Sequence, residues 1–149
     1  MITGISNTTG IGALTYTNGS NPTWVNIVNL EAELSTSNVN MRNIAYLVHP
    51  LMAATLKVTE KSAGTGKYIL EDGVMNGHPV KTSSNVPVGS VLIGAWSEFV
   101  LATWGVLELT VDPYGTNFAK GSVRIRCVLD VDAGVRHPAA FATLEEAAA

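Results

Sequence analysis

Trp24, Ile27, Val28, Leu30 and Leu34 recur at helical spacing in a segment that runs to Ser37. Asn21-Pro22 places a capping residue and a first-turn proline just upstream, so the pattern predicts a helix from Trp24 to Ser37. Residues 1–21 are rich in Gly, Thr, Asn and Ser with little apolar periodicity, which predicts loop or edge-strand structure. The apolar run Ile44 to Val48 reads as a short buried strand, after which His49-Pro50 opens a second helix through LMAATLKVTE. KSAGTGKYIL reads as a loop entering a short strand, and Glu71-Asp72-Gly73 and Asn76-Gly77 then give two turns in quick succession.

From there the pattern becomes β-rich. Strands are predicted at HPVKTS, SVLIG, EFVLAT, VLELTV and from Ser122 to Val135, with turns at Pro87-Val88-Gly89, Trp104-Gly105 and Asp112-Pro113-Tyr114-Gly115. In the last strand Val123, Ile125, Cys127, Leu129 and Val131 alternate with Arg124, Arg126, Val128, Asp130 and Asp132, which predicts that the first set faces a core. The tail FATLEEAAA reads as a short helical end or a frayed terminus. Two early helices followed by a sheet make the fold class α+β.

Composition sharpens this picture. A chain of 149 residues is the size of one domain. Only 14% of it is charged, against about 25% in ordinary soluble domains, while 46% is apolar, so much of the surface is expected to meet protein. The net charge of −3 argues against a nucleic-acid binder that works by neutralising phosphates. The single cysteine, Cys127, excludes an internal disulfide framework and reads as a small buried apolar residue. The first residues lack the basic and apolar regions of a signal peptide, and the apolar stretch Val91 to Leu109 carries Glu98 and Glu108, so it reads as consecutive strands rather than a membrane span.

Candidate chemistry is sparse. His49, His78 and His137 each precede a proline, which marks element boundaries more than ligand sets, and no metal or cofactor site is expected. Gly64-Thr65-Gly66-Lys67 fails as a phosphate loop because Lys61 and Tyr68 stand where Gly and Ser or Thr are needed. Thr9-Gly10-Ile11-Gly12 lacks the strand and helix of a dinucleotide turn, so both segments read as flexible loops. Asp130 and Asp132 share a strand face with Arg124 and Arg126. That face could be a carboxylate pair for acid–base work, and reads better as a polar surface making ion pairs with a neighbouring element or chain. Trp24, Trp96 and Trp104 read as core or interface anchors.

The order of several segments resembles the C-terminal half of tailed-phage major capsid proteins, the family with the Hong Kong 97-type fold. The pieces are Gly4-Ile5-Ser6-Asn7 before the helix PTWVNIVNLEAEL, then AYLVHPLMAATLKV, GTGKYIL and Gly77-His78-Pro79-Val80. Ser84-Asn85-Val86-Pro87, Gly94-Ala95-Trp96-Ser97 and Val111 to Tyr114 follow, and the long strand closes on Arg136, Pro138, Ala140 and Phe141. The resemblance implies a non-catalytic shell subunit, divided into residues 1–40 with the spine helix, 41–118 as mostly axial domain, and 119–149 as the return strand and end. It implies self-association into capsomers, contact with other head proteins, and a place in the virion or in the cytoplasm of a host carrying a prophage. No cofactor, specific nucleic acid or membrane is implied.

On that reading Arg124, Arg126, Asp130 and Asp132 are candidate inter-subunit contacts that select partners by charge. The chain starts just before the helix with neither the family's N-terminal arm nor its extended loop, so it is expected to be a shortened version. The isopeptide chemistry of cross-linking members is expected to be absent, since the acceptor and catalyst positions correspond to Gly121 and Val128. The rival readings are a prophage remnant that folds without assembling, a nanocompartment shell protein, and a small β-rich hydrolase or ligand-binding protein using Asp130, Asp132 and a histidine.

Overall fold

Helix α1 (Trp24–Thr36) forms on the expected apolar stripe, of which Val28 alone stays exposed, but its cap is Thr23 rather than Asn21. The Thr23 hydroxyl accepts from the Asn26 amide at 3.4 Å, and the Asn26 side chain accepts from the Thr23 amide at 3.1 Å. This reciprocal box satisfies two end groups and leaves Pro22 outside the helix. Helix α2 (Pro50–Val58) starts on its proline, with His49 Nδ1 accepting from the Leu51 amide at 3.2 Å. The computed structural model describes residues 4–40, 43–114 and 118–148.

Strands β1 (Gly12–Tyr16), β2 (Ile44–Val48), β3 (Val74–Met75), β4 (His78–Thr82), β5 (Val91–Ala95) and β8 (Phe141–Glu146) form a six-stranded mixed sheet in the order β1-β8-β5-β2-β4-β3. Asn76 and Gly77, both at positive φ (49° and 80°), make the two-residue turn that joins β3 to β4. Helix α1 buries Ile27, Leu30 and Leu34 against β8, β1 and β5, and α2 adds Met52, Ala53 and Leu56 to the same core. Gly94 lies under the Phe141 ring so closely that a Cβ there would stand 2.2 Å from a ring carbon. Trp96 meets Phe141 edge-on at 5.8 Å and donates its indole N–H to the Ala45 carbonyl at 3.0 Å.

Several expectations are corrected. The tail is neither helical nor frayed over Phe141–Glu146: β8 is an inner strand, parallel to β1 and antiparallel to β5, because Phe141 to Leu144 are buried on both faces of the sheet. The Ala and Glu residues that favour a helix there lose to that burial. Gly12 belongs to β1 rather than to a loop, and the strand expected at the end of KSAGTGKYIL is reduced to an isolated bridge between Glu60 and Tyr68.

The two strands expected at EFVLAT and VLELTV are one, β6 (Phe99–Asp112), which runs through Trp104-Gly105 by a bulge instead of turning. It pairs antiparallel with β7 (Arg124–Val135) alone, so the supposed core face of β7 is in solvent and Cys127 is exposed. Gly115, the end of the turn expected at 112–115, lies outside the described residues. The chain exposes 9401 Å², where a compact monomer of this size exposes about 7,300 Å². The projecting β6–β7 hairpin accounts for the excess in kind.

Gly94→Ala is expected to cost about 1–3 kcal/mol through overpacking against Phe141. Phe141→Ala is expected to cost about 3–5 kcal/mol through the cavity it leaves. Urea denaturation followed by tryptophan fluorescence measures both.

Candidate functional site

The β6–β7 hairpin has two unlike faces. Cross-strand partners in an antiparallel ladder share a face, so the register places Phe99, Leu101, Leu109 and Val111 beside Val135, Ala133, Cys127 and Ile125 on one side. Only Thr103 interrupts the apolar character of that β6 row, and Leu109 and Ile125 remain 60% and 67% exposed. The other side joins Asp112, Thr110, Glu108, Trp104 and Ala102 to Arg124, Arg126, Val128, Asp130 and Asp132.

The bulge sets residues 105–107 against Leu129 alone, since Trp104 pairs with Asp130 and Glu108 with Val128. Gly105 takes φ 76°, a conformation an L side chain resists, so the extra residues are absorbed there. Val106, on this bulge, is 89% exposed.

A clamp at the base fixes how the hairpin leaves the sheet. Glu98 and Arg136 form a bidentate pair, Nε to Oε2 at 2.8 Å and Nη2 to Oε1 at 2.9 Å, and the Arg136 amide donates to the Glu98 carbonyl at 2.9 Å. The hydrogen bonds from Arg136 hold the Glu98 carboxyl below the usual carboxylate range, and the pairing raises the guanidinium in turn. This pair was not singled out in the sequence. Its only signal is a Glu just before one long strand and an Arg just after the other.

The four charged residues singled out in the sequence are brought onto one face but not into one cluster. Arg124 and Arg126 stand opposite Asp112 and Thr110 near the far end, while Asp130 and Asp132 stand opposite Trp104 and Ala102 nearer the base. Asp132 accepts from the Ala133 amide at 2.9 Å. The histidines lie elsewhere: His49 caps α2, His78 opens β4, and His137 precedes the short helical turn Pro138–Ala140. No group of three or more His, Cys, Asp or Glu among the described residues is placed to hold a metal ion.

One polar cluster lies in the body. His78 Nε2 is 3.4 Å from Glu31 Oε1, Asn76 donates to the other oxygen of Glu31, and the Tyr46 hydroxyl beneath is buried without a well-formed hydrogen bond. Burial and the Glu31 carboxylate push the Tyr46 phenol well above its usual value, so it stays protonated. The cluster ties α1 to the β3–β4 turn.

Comparison with known proteins gives a consistent result. A family profile described as Phage capsid family matches residues 1–145. The major capsid protein of Halomonas phage phiHAP-1 is 30% identical over 98% of this chain, which spans 24% of that protein. Among solved structures, the capsid of an empty GTA particle superposes with a TM-score of 0.69 at 17% identity, over 93% of this chain and 50% of that one. A virus-like particle from Pyrococcus furiosus gives 0.66 at 20% identity, over 95% and 58%. The fold is therefore that of the Hong Kong 97-type shell proteins, and the chain spans about a quarter to somewhat over half the length of these proteins.

The Glu98 carboxylate contributes to the clamp above its ordinary unfolded value, and that contribution is lost as pH falls through its lowered folded value. Arg136→Gln is expected to return the Glu98 titration midpoint to the ordinary carboxylate range, read from the side-chain carboxyl carbon by NMR.

Proposed function

Because the chain belongs to the phage capsid family, we propose that it is a structural subunit of a phage or prophage head, acting by self-association into capsomers and shell without catalysis. The observation that carries this reading is the β6–β7 hairpin, whose apolar face meets the body only at its base, through Phe99 and Val135, while Leu101, Leu109, Val111, Ile125 and Leu129 stay exposed among the described residues. An isolated two-stranded ribbon is marginal in water, so a 14-residue strand paired with a 12-residue one calls for a partner surface. The low charge density has the same cause, since a subunit edge that is covered in the assembly needs few charges to stay hydrated.

Within the subunit we assign residues 12–95 and 141–146 to one axial-type body and the hairpin to the peripheral layer. Helix α1 was grouped by sequence with a peripheral part. Its packing on β8, β1 and β5 supports placing it in the body. The partners are further copies of the chain and other head proteins, and the place of work is the virion. Contacts that each relative makes through the rest of its length lie beyond this chain.

Light scattering coupled to size exclusion across a concentration series, with negative-stain microscopy of any large fraction, tests the proposal. Pentamers, hexamers or shells are the expected outcome, and a strict monomer at high concentration overturns it. Leu109→Asp with Ile125→Asp is expected to weaken association by more than about tenfold, while changing the unfolding free energy of the monomer by less than about 0.5 kcal/mol, as for exposed positions.

A further inference from the structure

We propose, resting on the shell-subunit reading, that the outer edge of β7 is a two-fold contact between copies of this chain, paired antiparallel about Val128. Among the described strands β7 pairs with β6 alone, so its other edge is open to a further strand. Charges on an edge strand ordinarily block such pairing. Here their order makes them selective instead.

Arg124 and Arg126 precede Val128 by four and two residues, and Asp130 and Asp132 follow it by two and four. In an antiparallel pair centred on Val128, Arg124 of one copy stands directly opposite Asp132 of the other, and Arg126 opposite Asp130. The two-fold axis repeats both pairs, which is the self-complementarity an isologous interface requires. On the reverse face the same register sets Ile125 against Val131 and Cys127 against Leu129, extending the apolar surface across four strands. Parallel pairing in register would place Arg on Arg and Asp on Asp. A shift of one residue would set apolar side chains against charged ones, and a shift of two would break half the ion pairs. Charge, pattern and symmetry thus select one register.

Two variants of the full chain test this: Arg124→Asp with Arg126→Asp, and Asp130→Arg with Asp132→Arg. Each alone faces only like charges across the axis, and its association by sedimentation velocity is expected to fall by more than about tenfold. An equimolar mixture is expected to regain it, as is the single chain that carries all four exchanges. Cys127 and its counterpart are diagonal neighbours in this register, about 7–8 Å apart. A short bismaleimide is therefore expected to cross-link wild type, and in the mixture to link unlike chains.

Circular dichroism and melting curves confirm that each variant is folded. Folded variants that associate as wild type does, or a mixture that fails to recover, overturn the β7 contact and leave the shell-subunit reading standing. Absence of association in wild type, mixture and fourfold exchange alike overturns both.

Discussion

A two-stranded sheet has no interior. In the six-stranded body, α1 and α2 cover one apolar layer and Trp96 with Phe141 lies against the sheet, so all of β5, Phe141 to Leu144 of β8, and Ile44, Tyr46 and Val48 of β2 are out of water. Strands β6 and β7 have each other, Phe99 and Val135 against the core and the Glu98–Arg136 clamp at their base, and beyond that only a ladder interrupted at Gly105. Everything distinctive about the surface follows from that difference. The residues that would form a core in a closed domain here form an apolar face in solvent, and the chain exposes more area than its size predicts.

The clamp matters because of how the hairpin is connected. Residues 96–98 lead out of β5 into β6, and 136–140 lead from β7 back into β8, so the two exits lie at adjacent strands of one sheet. A bidentate Arg–carboxylate pair across those exits, reinforced by the Arg136 amide, fixes the direction in which the ribbon departs. Its worth is geometric more than energetic, since the guanidinium is largely exposed and solvent screens it. A small angular error at the base is multiplied along a strand of up to about 45 Å, so the clamp governs where the far end of the ribbon lies.

The body was legible in the sequence where periodicity and punctuation agreed. Ile44–Val48 and the two helices fall close to where apolar spacing and the prolines place them, and the Asn76-Gly77 turn takes its positive-φ geometry. Legibility failed where tertiary context decides. Four residues of β8 give no sustained period, and the Ala and Glu that follow speak for a helix. Only the slot between β1 and β5 makes them a strand. Gly105 looked like a turn because a glycine after a tryptophan in a β-rich segment usually is one, whereas here it serves a bulge within a continuing strand.

The site was half legible for a related reason. Alternation of apolar and charged residues from Val123 to Asp132 established which side chains share a face of β7. Alternation does not say what covers a face, and the usual assumption that the apolar one meets the chain's own core fails for a strand with one neighbour. Cys127 and Ile125 are exposed for that reason. The composition had already carried the missing information in coarse form. With 14% charged residues against about 25% in ordinary domains, the chain has a surplus of surface that charges do not cover. Once the hairpin is seen outside the core, that surplus has a location. In the shell we propose, many such contacts, each modest and all engaged together, would need no single strong interface.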